Sequence, residues 1–134
     1  MRDINFWSPK GGQKSNVAII SRWDGATVLY SHWGGSSLFK QVQEILFDDK
    51  ARNRWTDAPY LRRIVFQYIV DLDGPSETGF GISSKIGDNE HLVLTLDTDS
   101  LRAAFRSGGN YDKPVSPDEG WSFEVFRTVR VDDY

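Results

Sequence analysis

The stretch VAIISRWDGATVLYSHWGGSSLFKQVQEIL, residues 17–46, decides the fold. Val17 to Trp23 and Ala26 to Trp33 are rich in β-branched and aromatic residues and are separated by Asp24-Gly25, a strong short-range signal for a hairpin. A two-residue loop at Asp24-Gly25 pairs Trp23 with Ala26, Ile19 with Tyr30 and Val17 with His32. It places Val17, Ile19, Ser21, Trp23, Val28, Tyr30 and His32 on one face. After Gly34-Gly35 the period changes: Leu38, Phe39, Val42, Ile45 and Leu46 form the apolar stripe of a helix, with Ser36 or Ser37 as N-cap.

A second helix is expected from Thr56 or Asp57, with Pro59 in its first turn, burying Leu61, Ile64, Val65, Tyr68 and Leu72. Arg62, Arg63 and Gln67 lie on its opposite face, and Asp73-Gly74-Pro75-Ser76 stops it. A second strand pair is expected at Gly79–Lys85 and His91–Thr98, joined by Gly87-Asp88-Asn89-Glu90, with Leu92, Leu94 and Leu96 facing the core. Leu101 to Phe105 fits a short helix or an edge strand, and residues 107–120 read as loop. The alternation of Trp121, Phe123, Val125, Val129 and Val131 with polar residues reads as a closing strand. The whole chain, 1–134, is therefore expected to be one α+β domain: a mostly antiparallel sheet of about five strands, with two consecutive helices packed on one face. Residues 1–16 form an irregular lead-in.

Composition narrows the function classes. Of 134 residues, 39% are apolar and none is Cys, which excludes thiol catalysis and thiolate metal sites. A net charge of −3 argues against bulk nucleic-acid binding. The start, Met1-Arg2-Asp3-Ile4-Asn5-Phe6-Trp7, lacks the apolar stretch of a signal peptide, and no run is long enough to span a membrane. A cytoplasmic protein is expected, with no membrane partner, no cofactor and no metal; a homo-oligomer is left open.

The sharpest candidate site is the strand–Gly34-Gly35-Ser36-Ser37–helix junction. A helix start offers unpaired amides and the positive end of the macrodipole, and glycines let an anion approach the backbone. His32 and the two serines add donors, Tyr30 and Phe80 would flank a base, and an Arg such as Arg62 would close over phosphates. The competing reading is that the glycines merely turn the chain while the serines cap the helix. Charge is also uneven along the chain. Lys50, Arg52, Arg54, Arg62 and Arg63 stand against Asp57 alone, whereas Asp71, Asp73, Glu77, Asp88, Glu90, Asp97 and Asp99 stand against Lys85. Each run is either a solvated face or a docking surface. No catalytic motif is present: the two His are not part of HExxH, and there is no G-x-S-x-G.

Tyr30-Ser31-His32-Trp33-Gly34-Gly35, Gly79-Phe80-Gly81-Ile82 and Gly87-Asp88-Asn89-Glu90 together resemble a group of small uncharacterised proteins from phages and their bacterial or archaeal hosts, over roughly residues 26 to 98. The resemblance implies a phage-type accessory protein, acting in the host cytoplasm and of a kind that can counter host defence; it supplies no catalytic residues. The expectation from the sequence is a binding protein that captures a phosphate-bearing small molecule, a nucleotide, through Tyr30, His32, Gly34, Gly35, Ser36, Ser37, Phe80 and Arg62. The alternatives are an inhibitor module that docks an acidic face on a basic host protein, and a small hydrolase using His32 or His91.

Overall fold

The computed structural model describes residues 13–73 and 79–134. Most of the lead-in, and the Gly74-Pro75-Ser76 stop, lie outside these. The elements are β1 (Ser15–Ser21), β2 (Gly25–Ser31), α1 (Ser36–Leu46), α2 (Asp49–Arg52), α3 (Ala58–Asp73), β3 (Phe80–Ser83), β4 (Val93–Asp97), β5 (Arg102–Arg106), β6 (Trp121–Ser122) and α4 (Phe123–Phe126). They make an α+β fold on a six-stranded sheet ordered β3-β2-β1-β4-β5-β6, antiparallel except for the β1–β4 pair.

The hairpin forms with a longer loop than its Asp24-Gly25 signal suggests. Ser21 pairs with Gly25, Ile19 with Thr27 and Val17 with Leu29, so Arg22-Trp23-Asp24 form the loop and Gly25 takes a φ of 77°. A three-residue loop closed by a left-handed glycine is the next most common hairpin form. The register is displaced by three residues from the expected one, and an odd slip turns the whole of β2 over. Leu29, rather than Tyr30, joins Val17 and Ile19 beneath the helices, with Leu94, Leu96 and Ala103 from β4 and β5. On the other face Ala18, Ile20, Val28 and Val93 form a smaller cluster covered by Ala26, Ile86 and Tyr111. Both faces of β1 are buried, which accounts for its nearly unbroken apolar run.

The second strand pair does not exist as a pair. β3 adds to the free side of β2, with Ser31 opposite Phe80, while β4 lies parallel to β1, with Val17 opposite Leu94. Gly87–Glu90 is instead stapled to the start of β1. Asn16 donates to Asp88 O (3.2 Å) and Asn89 Oδ1 (3.1 Å) and accepts from Gly87 N (3.0 Å), and Glu90 Oε1 accepts from Gln13 N and Lys14 N. Leu94 and Leu96 reach the core as expected, but Leu92 is exposed.

Leu38, Phe39, Val42, Ile45 and Leu46 of α1 are all buried, as their spacing predicts. In α3 the buried residues are Ala58, Leu61, Val65 and Ile69; Ile64 and Tyr68 are partly buried and Leu72 is exposed. β5 lies inside the sheet and not at its edge, because β6 pairs beyond it. The expected closing strand stops after Ser122, whose hydroxyl accepts from Val125 N and caps α4, so Phe123 and Phe126 enter the core from a helix and Val125 points outward. No described helix is long and apolar enough to cross a membrane.

Residues 107–120 wrap around one buried guanidinium. Arg106 donates to both carboxylate oxygens of Glu119 (3.0 and 2.6 Å) and to the carbonyls of Asn110, Lys113 and Pro114. These bonds hold the Glu119 carboxyl below its ordinary 4.5. A lowered carboxylate pKa contributes stability that is complete above the ordinary value and is lost as pH falls through the lowered one. The urea midpoint should therefore drop on going from about pH 6 to about pH 3, and Glu119→Gln should lower it at about pH 6 and flatten this part of the pH dependence. Gly120, at φ 62°, leaves no room for a side chain, since an added Cβ would sit 2.0 Å from Ala103 O. Gly120→Ala should destabilise by about 2 kcal/mol or more, lowering Tm by roughly 6 °C in calorimetry.

Candidate functional site

At the junction after β2, the chain itself uses most of the row of amides proposed for an anion. Gly34 N donates to Ser31 Oγ (2.8 Å), Gly35 N to Gln13 O (2.6 Å), Ser37 N to Gly34 O (3.0 Å) and Leu38 N to Gly35 O (3.2 Å). The helix cap is Gly35, at φ 51°, with no side-chain cap, so neither Ser36 nor Ser37 serves as N-cap. Ser37 Oγ donates to Gly34 O (2.5 Å). Both glycines have structural reasons. Gly35 occupies left-handed backbone, and a Cβ on Gly34 would stand 2.6 Å from Ser31 Oγ.

The remaining residues expected there are divided among three places. Gly34, Ser37 and Phe80, with Trp33, Gln41 and Leu72, line a hollow of about 190 Å³ on the helix side of the sheet. Tyr30 is on the other side: Ser31 opposes Phe80 and Tyr30 opposes Gly81, so Tyr30 and Phe80 face opposite ways and cannot enclose one ring. The Tyr30 ring packs against Gly87, where a Cβ would lie 3.0 Å from it, and its hydroxyl bonds His32 Nδ1 at 2.9 Å. Burial, with Asp88 and Glu90 nearby, raises the Tyr30 pKa and keeps the hydroxyl neutral. His91 Nδ1 contacts the backbone O of Tyr134 (2.8 Å). Among the described residues, no group of three or more His, Asp or Glu is placed to hold a metal.

Arg62 is at the far end of β2, where it clamps the hairpin. From α3 it donates to Ile19 O (3.0 Å) and Gly25 O (2.8 Å) and pairs with Asp24 (2.8 Å). Two further contacts fix the same loop: Arg22 N donates to Asp99 Oδ2 (2.7 Å) and Trp23 N to Ser21 Oγ (3.2 Å). The loop so held displays Trp23 with 83% of its surface exposed, and the Arg22 guanidinium lies 5.5 Å from the indole centroid. The two-residue turn reading hides this feature, because it leaves Trp23 inside a strand. A Trp in the middle of a three-residue loop is the signal that would have found it.

The charge runs also disperse. Arg52 pairs with Glu124, Arg54 with Asp57 and Arg62 with Asp24. Asp97 is buried and accepts from Asp99 N, Ser100 N and Val115 N, while Asp88 and Glu90 brace the start of β1 at the opposite end of β4. The acidic stretch of the sequence is therefore not one acidic face. Comparison with known families, curated proteins and solved structures finds no match.

If Arg62 holds the tip, Arg62→Ala should destabilise by about 2 kcal/mol, since it leaves carbonyls and Asp24 unpaired at a partly solvated site. It should also speed amide exchange at residues 21–26 more than elsewhere.

Proposed function

We propose that the chain is a binding protein that docks on a partner protein through the tip of the β1–β2 hairpin, with Trp23 as the anchor. The observation that carries this reading is the 83% exposure of Trp23 on a loop pinned by Arg62, Asp99 and Ser21. Trp and Arg are the residue types that most often dominate interface energetics, and a pre-ordered loop loses less entropy on association. Among the described residues no carboxylate pairs with the Arg22 guanidinium, so the complementary surface is an apolar slot for the indole with an acidic group at its rim. The resemblance to phage proteins makes a host protein the natural class of partner, and blocking it the natural outcome.

This reading keeps the docking alternative of the sequence and changes its contact, from an acidic face to an aromatic tip. Nucleotide capture at residues 34–37 has less support. Its amides are mostly engaged, its two proposed ring contacts lie on opposite faces of the sheet, and Arg62 is bound at the hairpin tip.

A photoreactive benzoylphenylalanine at position 23, with the same residue at exposed position 125 as control, tests the proposal in host-cell extract. A discrete protein adduct from position 23 alone, competed away by unlabelled chain but not by its Trp23→Ala variant, is the expected result. Equal labelling from both positions, or an adduct removed by nuclease, would overturn it.

A further inference from the structure

A second surface is built by α2 and α3 and is separate from the hairpin tip. Two adjoining hollows lie along it. One, of about 410 Å³, is lined by Lys50, Asn53, Arg54, Tyr60, Arg63 and Ile64; the other, of about 270 Å³, is lined by Lys50, Arg63, Ile64, Gln67, Tyr68 and Asp71. Lys50, Arg63 and Ile64 line both, so two cations and one apolar side chain are shared by the hollows. Arg54 is paired with Asp57 and stacked on Tyr60 (5.1 Å), and Gln67 donates to Asp71 (3.1 Å). Lys50 and Arg63 have no carboxylate within ion-pair distance among the described residues. In a chain of net charge −3, two such cations lining the same hollows form a local well for an anion.

The polarity of the groove orders a ligand along it. Asp71, and Asp48 beside the Tyr68 hydroxyl, repel an anion at the α3 C-terminal end and confine it to Lys50 and Arg63. The larger hollow then takes whatever is attached to the anion. It offers the exposed part of the Tyr60 ring beside the Arg54 guanidinium, the Ile64 side chain and the Asn53 amide, which are a surface for a base, an apolar contact and a group that both donates and accepts hydrogen bonds. Its volume falls in the usual range for small-ligand sites, about 300–1,000 Å³.

We propose that the α2–α3 groove binds a nucleoside monophosphate: Lys50 and Arg63 hold the phosphate, and the base lies over Ile64 against Tyr60 with its edge toward Asn53. Arg matches a phosphate with two parallel N–H donors and Lys adds a point charge, a pair suited to a dianion more than to a single carboxylate. The groove is open to solvent, so binding is modest and weakens as salt rises.

Titration of the ¹⁵N-labelled chain with the four nucleoside monophosphates, with inorganic phosphate and with the nucleosides tests this. At least one monophosphate should give saturable shifts confined to residues 50–71 and bind more tightly than phosphate or its own nucleoside. The double variant Lys50→Ala/Arg63→Ala, both exposed positions, should weaken it about tenfold, roughly 1.4 kcal/mol, without lowering Tm. Tyr60→Ala should weaken the monophosphate and leave inorganic phosphate unchanged. No saturable shift, equal binding by phosphate and monophosphate, or undiminished binding by the double variant would each overturn the proposal. So would a single-stranded oligonucleotide binding far more tightly than any monomer, which would assign the groove to a polymer.

Discussion

The guanidinium of Arg62 joins helix to sheet at the place where the register of the hairpin is set. Its donors reach Ile19 O on β1, Gly25 O at the start of β2 and the Asp24 carboxylate between them. Those three groups meet in the register whose loop is Arg22-Trp23-Asp24. In that register Val17, Ile19 and Leu29 lie under α1 and α3, and Phe80 joins the same face through β3. A register three residues away would turn Leu29 out and carry Tyr30 into the helix layer. The clamp, the loop length and the composition of the core are thus one constraint, and the exposure of Trp23 is its consequence at the surface.

A second principle runs through the loops: polar side chains buried at strand ends satisfy backbone that would otherwise be unpaired. Asn16 holds Gly87–Asn89, Asp97 takes three amides, and Arg106 gathers the carbonyls of Asn110, Lys113 and Pro114 and the Glu119 carboxylate. Several charged residues that look like recognition groups in the sequence are used in this way. Among the described residues, the exposed indole of Trp23 beside Arg22 at one end of the sheet, and Lys50 with Arg63 on the helix layer, are not used in this way.

The two long helices are legible in the sequence because their apolar spacing is dense and local, as Leu38 to Leu46 and Leu61 to Val65 show; the four-residue helices α2 and α4 are too short to carry such a period, and α4 reads as strand. The α+β class followed from the same pattern. The pairing of β1 with β2 is legible, but the partners of β3 and β4 are not. The pairing of β1 with β4 joins residues more than seventy positions apart, and no local signal distinguishes it from a β3–β4 hairpin. The hairpin register failed because Asp24-Gly25 carries the signature of a tight turn, while the deciding partners, Arg62 and Asp99, lie outside the segment. The glycine pair at 34–35 showed that something needs left-handed or crowded backbone there. It could not show that Ser31 and Gln13 already take the amides. Lys50 and Arg63 belonged to a visible basic run, but which of its members are paired is a tertiary fact.

The tip carrying Trp23 is held rigid before any partner arrives, and backbone ¹⁵N relaxation of the free chain measures this directly. Order parameters at Arg22, Trp23 and Asp24 close to those of the neighbouring strands, about 0.85, are predicted. Values below about 0.6 at these three amides, with the strands rigid, would contradict it.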